Sequence, residues 1–163
     1  MGQIKRILAA MASTAHCRGI FDYAATLAEG FGADVLIASI VNSRDIEAVR
    51  RITEMGYAVD GDKYASGIKD TRRQEIEAII RQSTFPRERI QTILKVGNPV
   101  DELLRIAVDE SADMVVMGTK GRTDLEHILM GSVAEKMFRR CPVTIVSYRD
   151  AAQAEKLKKR LHL

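Results

Sequence analysis

Residues 114–140 read MVVMGTKGRTDLEHILMGSVAEKMFRR, and this stretch decides the fold. Its first four residues are apolar throughout, as the inner strands of a parallel sheet are. A G-x2-G loop (residues 118–121) follows, and after nine further residues Gly-Ser opens a segment with helical spacing that ends before Pro142. A strand that leads through a glycine loop into a helix predicts a ligand site at the carboxyl end of that strand.

The parts of this loop suit a phosphate group. Gly118 and Gly121 let the backbone turn sharply and approach a ligand closely, because no Cβ intervenes. Gly131 and Ser132 begin a helix whose unbonded N–H groups and positive dipole end attract anions, and Ser132 adds a hydroxyl donor. Glycines after strands often serve turns alone, but the complete spacing is more specific than either half. We therefore interpret the segment as a phosphate-binding loop.

Outward from this loop, apolar strands alternate with amphipathic helices. The predicted strands are residues 4–11, 34–41, 90–96, 114–117 and 143–147. The predicted helices are residues 17–30, a segment from Pro99 that buries Val100, Leu103, Leu104 and Ala107, and residues 131–140. Residues 43–84 predict one interrupted helical crossover that is mobile around residues 56–67. Strand–helix–strand units of this kind require a parallel sheet with right-handed crossovers, so the sequence predicts a single α/β domain.

Composition excludes several classes of protein. The chain of 163 residues has a net charge of +3 and only 5% aromatic residues, so neither nucleic acid nor a membrane is an expected partner. No run approaches the roughly 18 apolar residues of a membrane span, and the N-terminus lacks the features of a signal peptide. Two distant cysteines, Cys17 and Cys141, are typical of a reduced cytoplasmic protein. His16, His127 and His162 lack metal-ligand spacing, so no metal site is expected.

The stretch from Met117 to Met137 resembles the universal stress protein family, as do Gly97–Pro99 and Cys141–Val143. The resemblance covers residues 3–148, and the G-x2-G-x9-G-S pattern is similar to that of the family's ATP-binding branch. It implies a Rossmann-like five-stranded parallel sheet in the order 3-2-1-4-5, with helices on both faces. It also implies a homodimer joined through the last strand, Val143 to Ser147.

The resemblance further implies a set of nucleotide-binding residues, carried over position by position. Those for the phosphates are Gly118, Gly121, Gly131 and Ser132, with Met117 at the ribose and Val133 supporting the helix start. Arg122 belongs to the same nucleotide-binding set. Those for adenine are Val41 at the end of the second strand and Ala10, Met11 and Ala12 at the end of the first. Family members that bind ATP usually carry an aspartate where this chain has Ala12, so the base half of the site departs from the pattern.

The sequence thus predicts a stress-response sensor or regulator that binds ATP or another adenine nucleotide, with or without Mg²⁺. No general base or acidic pair is evident near the loop, so hydrolysis is expected to be slow at most. The alternative is a nucleotide-independent interaction module of the same fold, which the alanine at position 12 favours. An adenylating enzyme ranks last, because no Ser-Gly-Gly loop follows the first strand. Residues 1–148 are expected to form the nucleotide-binding domain, and residues 149–163 a basic tail that is either a short helix or frayed.

Overall fold

The computed structural model describes residues 2–12, 16–58, 60–119 and 130–161. In chain order, the strands are β1 (Arg6–Ala10), β2 (Asp34–Asn42), β3 (Ile90–Gly97), β4 (Met114–Gly118) and β5 (Thr144–Tyr148). The α-helices are α1 (Cys17–Phe31), α2 (Ser43–Glu54), α3 (Gly61–Arg81), α4 (Pro99–Asp109), α5 (Ser132–Arg140) and α6 (Ala151–Arg160). A single 3-10 turn, Arg87–Arg89, precedes β3.

The five strands form one parallel sheet in the order β3-β2-β1-β4-β5, which confirms the predicted fold class and strand order. In the register of the three central strands, Ala10 lies opposite Ala38 of β2 and Met117 of β4. The backbone N–H of Met11 continues this pairing by donating to the carbonyl of Ala38 at 2.9 Å. β1 and β4 therefore end at nearly the same level, and β2 continues four residues further, to Asn42.

Side-chain alternation along the strands divides the core into two layers, one on each face of the sheet. On one face Ile7 packs with helices α1 and α3, through residues such as Phe21 and Ile76. On the other face Leu8 packs with α4 and α5, through residues such as Ile106 and Met137. Strands buried on both faces are nearly continuous in apolar residues, and this property made them recognisable in the sequence.

The crossover between β2 and β3 departs in part from the prediction. It is interrupted, as expected, but only between α2 and α3, and both Gly61 and Gly67 lie inside helix α3. The helix cap at Asp60 compensates for the poor helical propensity of these glycines. The carboxylate of Asp60 accepts hydrogen bonds from the backbone N–H groups of Asp62 and Lys63 at the start of α3. Gly61 also lets the two helices approach, since a Cβ there would lie 2.5 Å from Cγ of Arg50 on α2.

The tail forms helix α6, the first of the two conformations considered for it. Asp150 starts this helix by accepting from the N–H of Gln153 at 2.7 Å. The same aspartate lies 2.7 Å, Oδ2 to Nδ1, from His16, which precedes α1. Tyr148 packs over Gly19 and beside Tyr23 of α1, with 5.8 Å between the two ring centroids. The end of β5 and the start of α6 are therefore held against the first helix, although α6 itself contains no buried residue.

Helix α4 should depend on its cap. The side-chain oxygen of Asn98 accepts from the N–H groups of Val100 at 3.0 Å and Asp101 at 3.3 Å. Asn98→Ala leaves both donors without this acceptor, so we expect the free energy of unfolding to fall by about 1 kcal/mol. Asn98→Asp keeps the acceptor and serves as the matched control. Urea unfolding that gives equal midpoints for Asn98→Ala and the wild type would contradict a stabilising cap.

Candidate functional site

A cavity of about 520 Å³ opens where β1, β2 and β4 end. This volume lies within the range of roughly 300–1,000 Å³ that is typical of small-molecule sites. Its walls come from the carboxyl ends of the three strands, from the first turns of α4 and α5, and from α1 and α3. Parallel α/β sheets bind ligands at this edge, because the helices that follow the strands begin there.

Most of the residues predicted for nucleotide binding line this cavity. These are Ala10, Met11, Ala12, Met117, Gly118, Gly131, Ser132 and Val133. Val41 is the exception among the described residues: it is 2% exposed, and its neighbours Ile40 and Asn42 line the cavity instead. Successive residues of a strand point to opposite faces of the sheet. Ile40 and Asn42 therefore face the cavity, and Val41 between them points away from it. Gly121 and Arg122 lie outside the described residues.

Both glycines that border the cavity have an ordinary backbone. Gly131 has φ −73° and ψ 154°, and Gly118, the last residue of β4, has no positive φ either. The sharp turn predicted at Gly118 is therefore wrong, because the residue still continues the strand. What these glycines contribute is the absence of a side chain beside the cavity.

A backbone hydrogen bond joins the two sides of the glycine loop. The N–H of Gly131 donates to the carbonyl of Thr119 at 2.8 Å, and Thr119 is buried at 3% exposure. This bond places the start of α5 directly beside the end of β4. The first turn of α5 therefore faces the cavity, which Ser132, Val133 and Ala134 help to line.

The start of α5 differs from the start of α4 on the same cavity. Asn98 caps α4 with its side chain, whereas Gly131 stands at the cap position of α5 and has no side chain to offer. The first N–H groups of a helix have no partner within the helix, and together with the helix dipole they favour negative charge. The opening turn of α5 is therefore the part of the cavity best suited to an anionic group.

Sequence reasoning missed a buried arginine in the wall. Arg72 of α3 lines the cavity, is 7% exposed, and donates from Nη1 to Oγ of Ser39 on β2 at 2.9 Å. Its position four residues before Ile76 and eight before Ile80 puts it on the buried face of α3. The same helical spacing could have identified it. The other wall residues that were not predicted are Ile20, Ala38, Ile40, Asn42, Pro99, Leu103 and Ala134.

The described wall residues carry a positive charge and no carboxylate. Arg72 is the only ionisable side chain among them. Within the described ranges, no three His, Cys, Asp or Glu side chains lie close enough together to hold a metal ion. A cavity lined by a guanidinium and by the uncapped start of a helix suits a negatively charged ligand.

Comparison with known proteins identifies the family. The model of the universal stress protein family matches residues 3–149. The chain belongs to this family. It is 27% identical over 129 residues to universal stress protein MJ0577 of Methanocaldococcus jannaschii, covering 72% of this chain and 79% of that protein. It is 29% identical over 123 residues to a universal stress protein of Mycolicibacterium smegmatis, covering 72% of this chain and 92% of that protein.

Solved structures of the family share the fold. The structure of MJ0577 superposes with a TM-score of 0.68 at 22% identity, over 92% of this chain and 100% of that one. A universal stress protein solved in complex with cAMP superposes with a TM-score of 0.59 at 20% identity, over 91% of this chain and 98% of that one. In the part of this family member that the structure describes, no helix combines the length and the apolar character needed to cross a membrane.

Proposed function

We propose that this family member is a nucleotide-binding regulator of the stress response whose cavity holds ATP or another adenine nucleotide. The observation that carries the proposal is the first turn of α5, which starts at a glycine without a capping side chain and opens into a cavity of about 520 Å³. An anion-binding helix start on a cavity of this size is what a nucleotide requires. The relative that was solved with cAMP supports an adenine nucleotide as the ligand.

In this proposal the two ends of the cavity have different tasks. Gly118, Gly131 and Ser132 hold the phosphates, and Gly121 and Arg122 complete that end of the site. Met117 and Val133 border the ribose. The apolar end, where Ala10, Met11, Ala12 and Ile40 line the wall, receives the base. Burial of a flat purine against such side chains contributes roughly 25 cal/mol per Å² of apolar surface removed from water.

The cavity supports a sensor better than a turnover enzyme. Its described wall residues offer no carboxylate that could activate a water molecule or hold a divalent cation, so any ATP hydrolysis is expected to be slow. We place the nucleotide-binding domain at residues 1–148 and treat residues 149–163 as a basic tail. Cys17 and Cys141 form no disulfide, which fits a cytoplasmic protein.

The alternative function is an interaction module that needs no nucleotide. Ala12 favours it, because a methyl group lines the cavity where ATP-binding relatives usually carry a carboxylate. Mass spectrometry of whatever co-purifies with the protein separates the two functions. A stoichiometric adenine nucleotide supports the regulator, and a protein free of nucleotide supports the interaction module.

Gly131→Val should abolish nucleotide binding and leave the fold intact. The backbone of Gly131 is extended and open to any residue, so valine adds only a side chain where the phosphates are proposed to lie. We expect at least about a tenfold loss of ATP affinity, equal to about 1.4 kcal/mol, by calorimetry. Gly30→Val is the control, since no atom lies within 4 Å of a Cβ at that exposed helical position. Unchanged ATP affinity in folded Gly131→Val would move the phosphate site elsewhere.

Ala12→Asp should strengthen adenine nucleotide binding. Ala12 lines the cavity and is exposed to it, so a carboxylate there could accept hydrogen bonds from the base or the ribose. Hydrogen bonds to charged groups contribute about 1.5–3 kcal/mol, which corresponds to roughly a ten- to a hundredfold gain in affinity. Ala12→Asn separates the effect of the acceptor from that of the charge. If titration shows no gain for a folded Ala12→Asp, the base is held in another way.

We also propose a homodimer through β5. This strand pairs with β4 on one side and is the last in the sheet order, and Val143 to Ser147 contain neither a charge nor a proline to discourage pairing. The opposite edge strand, β3, carries Lys95. A sheet edge without charge or proline can pair with the same strand of a second copy, in antiparallel orientation across a two-fold axis.

Thr144→Lys tests this dimer. Thr144 is exposed on β5, whereas Ile145 packs against the core, so the substitution adds charge at the edge without disturbing the interior. Light scattering should show a dimer for the wild type and a monomer, or a much weaker dimer, for Thr144→Lys. Gln91→Lys on β3 is the matched control and should remain dimeric. A wild-type monomer at concentrations of tens of micromolar would contradict the proposed interface.

A further inference from the structure

The last helix of the chain, α6, gains little stability from burial. It has 10 residues, and none of them is buried. An isolated helix of this length is marginal in water, because its nucleation is costly and few hydrogen bonds follow. Helix α6 therefore depends on the contacts at its start, where the chain leaves β5.

One carboxylate makes two of these contacts. Oδ1 of Asp150 accepts from the backbone N–H of Gln153 at 2.7 Å and so begins α6, while Oδ2 accepts from Nδ1 of His16 at 2.7 Å. Nε2 of His16 lies 3.4 Å from the side-chain amide nitrogen of Gln153. The formation of α6 and its attachment to His16 are therefore one event, because both need the same side chain in the same position.

Tyr148 also attaches the end of the chain to the first turns of α1. Its ring lies over Gly19, where a Cβ would come within 2.6 Å of Cζ of the tyrosine. It also packs beside Tyr23, with 5.8 Å between the ring centroids. His16 stands at the cap position of α1 and makes no side-chain cap hydrogen bond, so the N–H groups of the first turn lack that support. The tail therefore holds the part of α1 that its own residues stabilise least.

The same part of α1 borders the cavity. Ile20 lines the wall one turn after His16, and Ala12 lines it four residues before His16. The thiol of Cys17 donates to the carbonyl oxygen of Ala12, which joins the first turn of α1 to the end of β1. A ligand against Ala12 and Ile20 therefore acts on the same short segment that Asp150 holds.

We propose that docking of α6 on α1 and occupancy of the cavity stabilise each other, so that α6 is the element through which this sensor reports its ligand. The inference rests on the proposed function, since it takes a nucleotide to bind in the cavity. A bound nucleotide fixes the wall at Ala12 and Ile20, and with it the turn on which Asp150 and Tyr148 dock. The docked tail in turn orders that wall, so less conformational entropy is lost when the ligand binds. Coupling of this kind is reciprocal by thermodynamic necessity.

Hydrogen–deuterium exchange of the full chain with and without ATP tests the coupling. Saturating ATP should slow exchange of the backbone amides of α6 about fivefold, the lower end of the range typical of coupled sites. Gly19→Ala should speed this exchange, because the added methyl group displaces Tyr148, whereas alanine suits the helix α1 itself better than glycine. The same variant should weaken ATP binding, measured by calorimetry, by up to about the same fivefold factor.

Gly30→Ala is the matched control. It makes the same change on the same helix, but no atom lies within 4 Å of a Cβ at that position. Exchange of α6 and affinity for ATP should both remain as in the wild type.

The outcomes separate this inference from the function on which it rests. If ATP binds and leaves the exchange of α6 unchanged, the inference is wrong and nucleotide binding stands. If Gly19→Ala speeds exchange in α6 but binds ATP as tightly as the wild type, docking is independent of the cavity and the inference is again wrong. If the wild type does not bind ATP, the proposed function fails and the inference fails with it. Should Gly19→Ala leave α6 docked or not fold, Asp150→Ala removes both the cap and the contact with His16. This variant must then show faster exchange and weaker binding, or the inference is wrong.

Discussion

The register of β1 with its two neighbours, β2 and β4, is the constraint on which the rest of this molecule depends. Because Ala10 pairs with both Ala38 and Met117, β1 and β4 end at the same level, while β2 runs on to Asn42 beside the opening. The helices that follow must then begin around a common opening. A shift of one residue in either pairing would turn side chains from one face of the sheet to the other, and would close the cavity with the wrong residues.

The two sides of the glycine loop are joined by backbone atoms. The N–H of Gly131 and the carbonyl of Thr119 hold the start of α5 beside the end of β4, and no side chain is needed for the contact. Backbone donors suit a phosphate site, because their positions are set by the helix and the amide N–H does not titrate. The phosphate end of the proposed site is therefore determined by the fold, and the glycines keep it open.

Away from the glycine loop, side chains rather than backbone atoms form the wall of the cavity. Ala12, Ile40 and Arg72 come from three different parts of the chain, and none of them belongs to the glycine loop. The tail is held near this region too, since His16 at the start of α1 contacts Asp150 and Ile20 of the same helix lines the cavity.

The sequence by itself determined the sheet, its helices and the glycine-lined end of the cavity, because apolar strands, caps and glycine spacing are local signals. Gly118, Gly131 and Ser132 belong to a continuous pattern and were placed correctly at the cavity. Only the tertiary structure decided which residues of β2 face the cavity and that Arg72 joins them. Residue Arg72 is 33 positions from its partner Ser39, and no local pattern relates a helical arginine to a strand serine until the crossover brings α3 over β2.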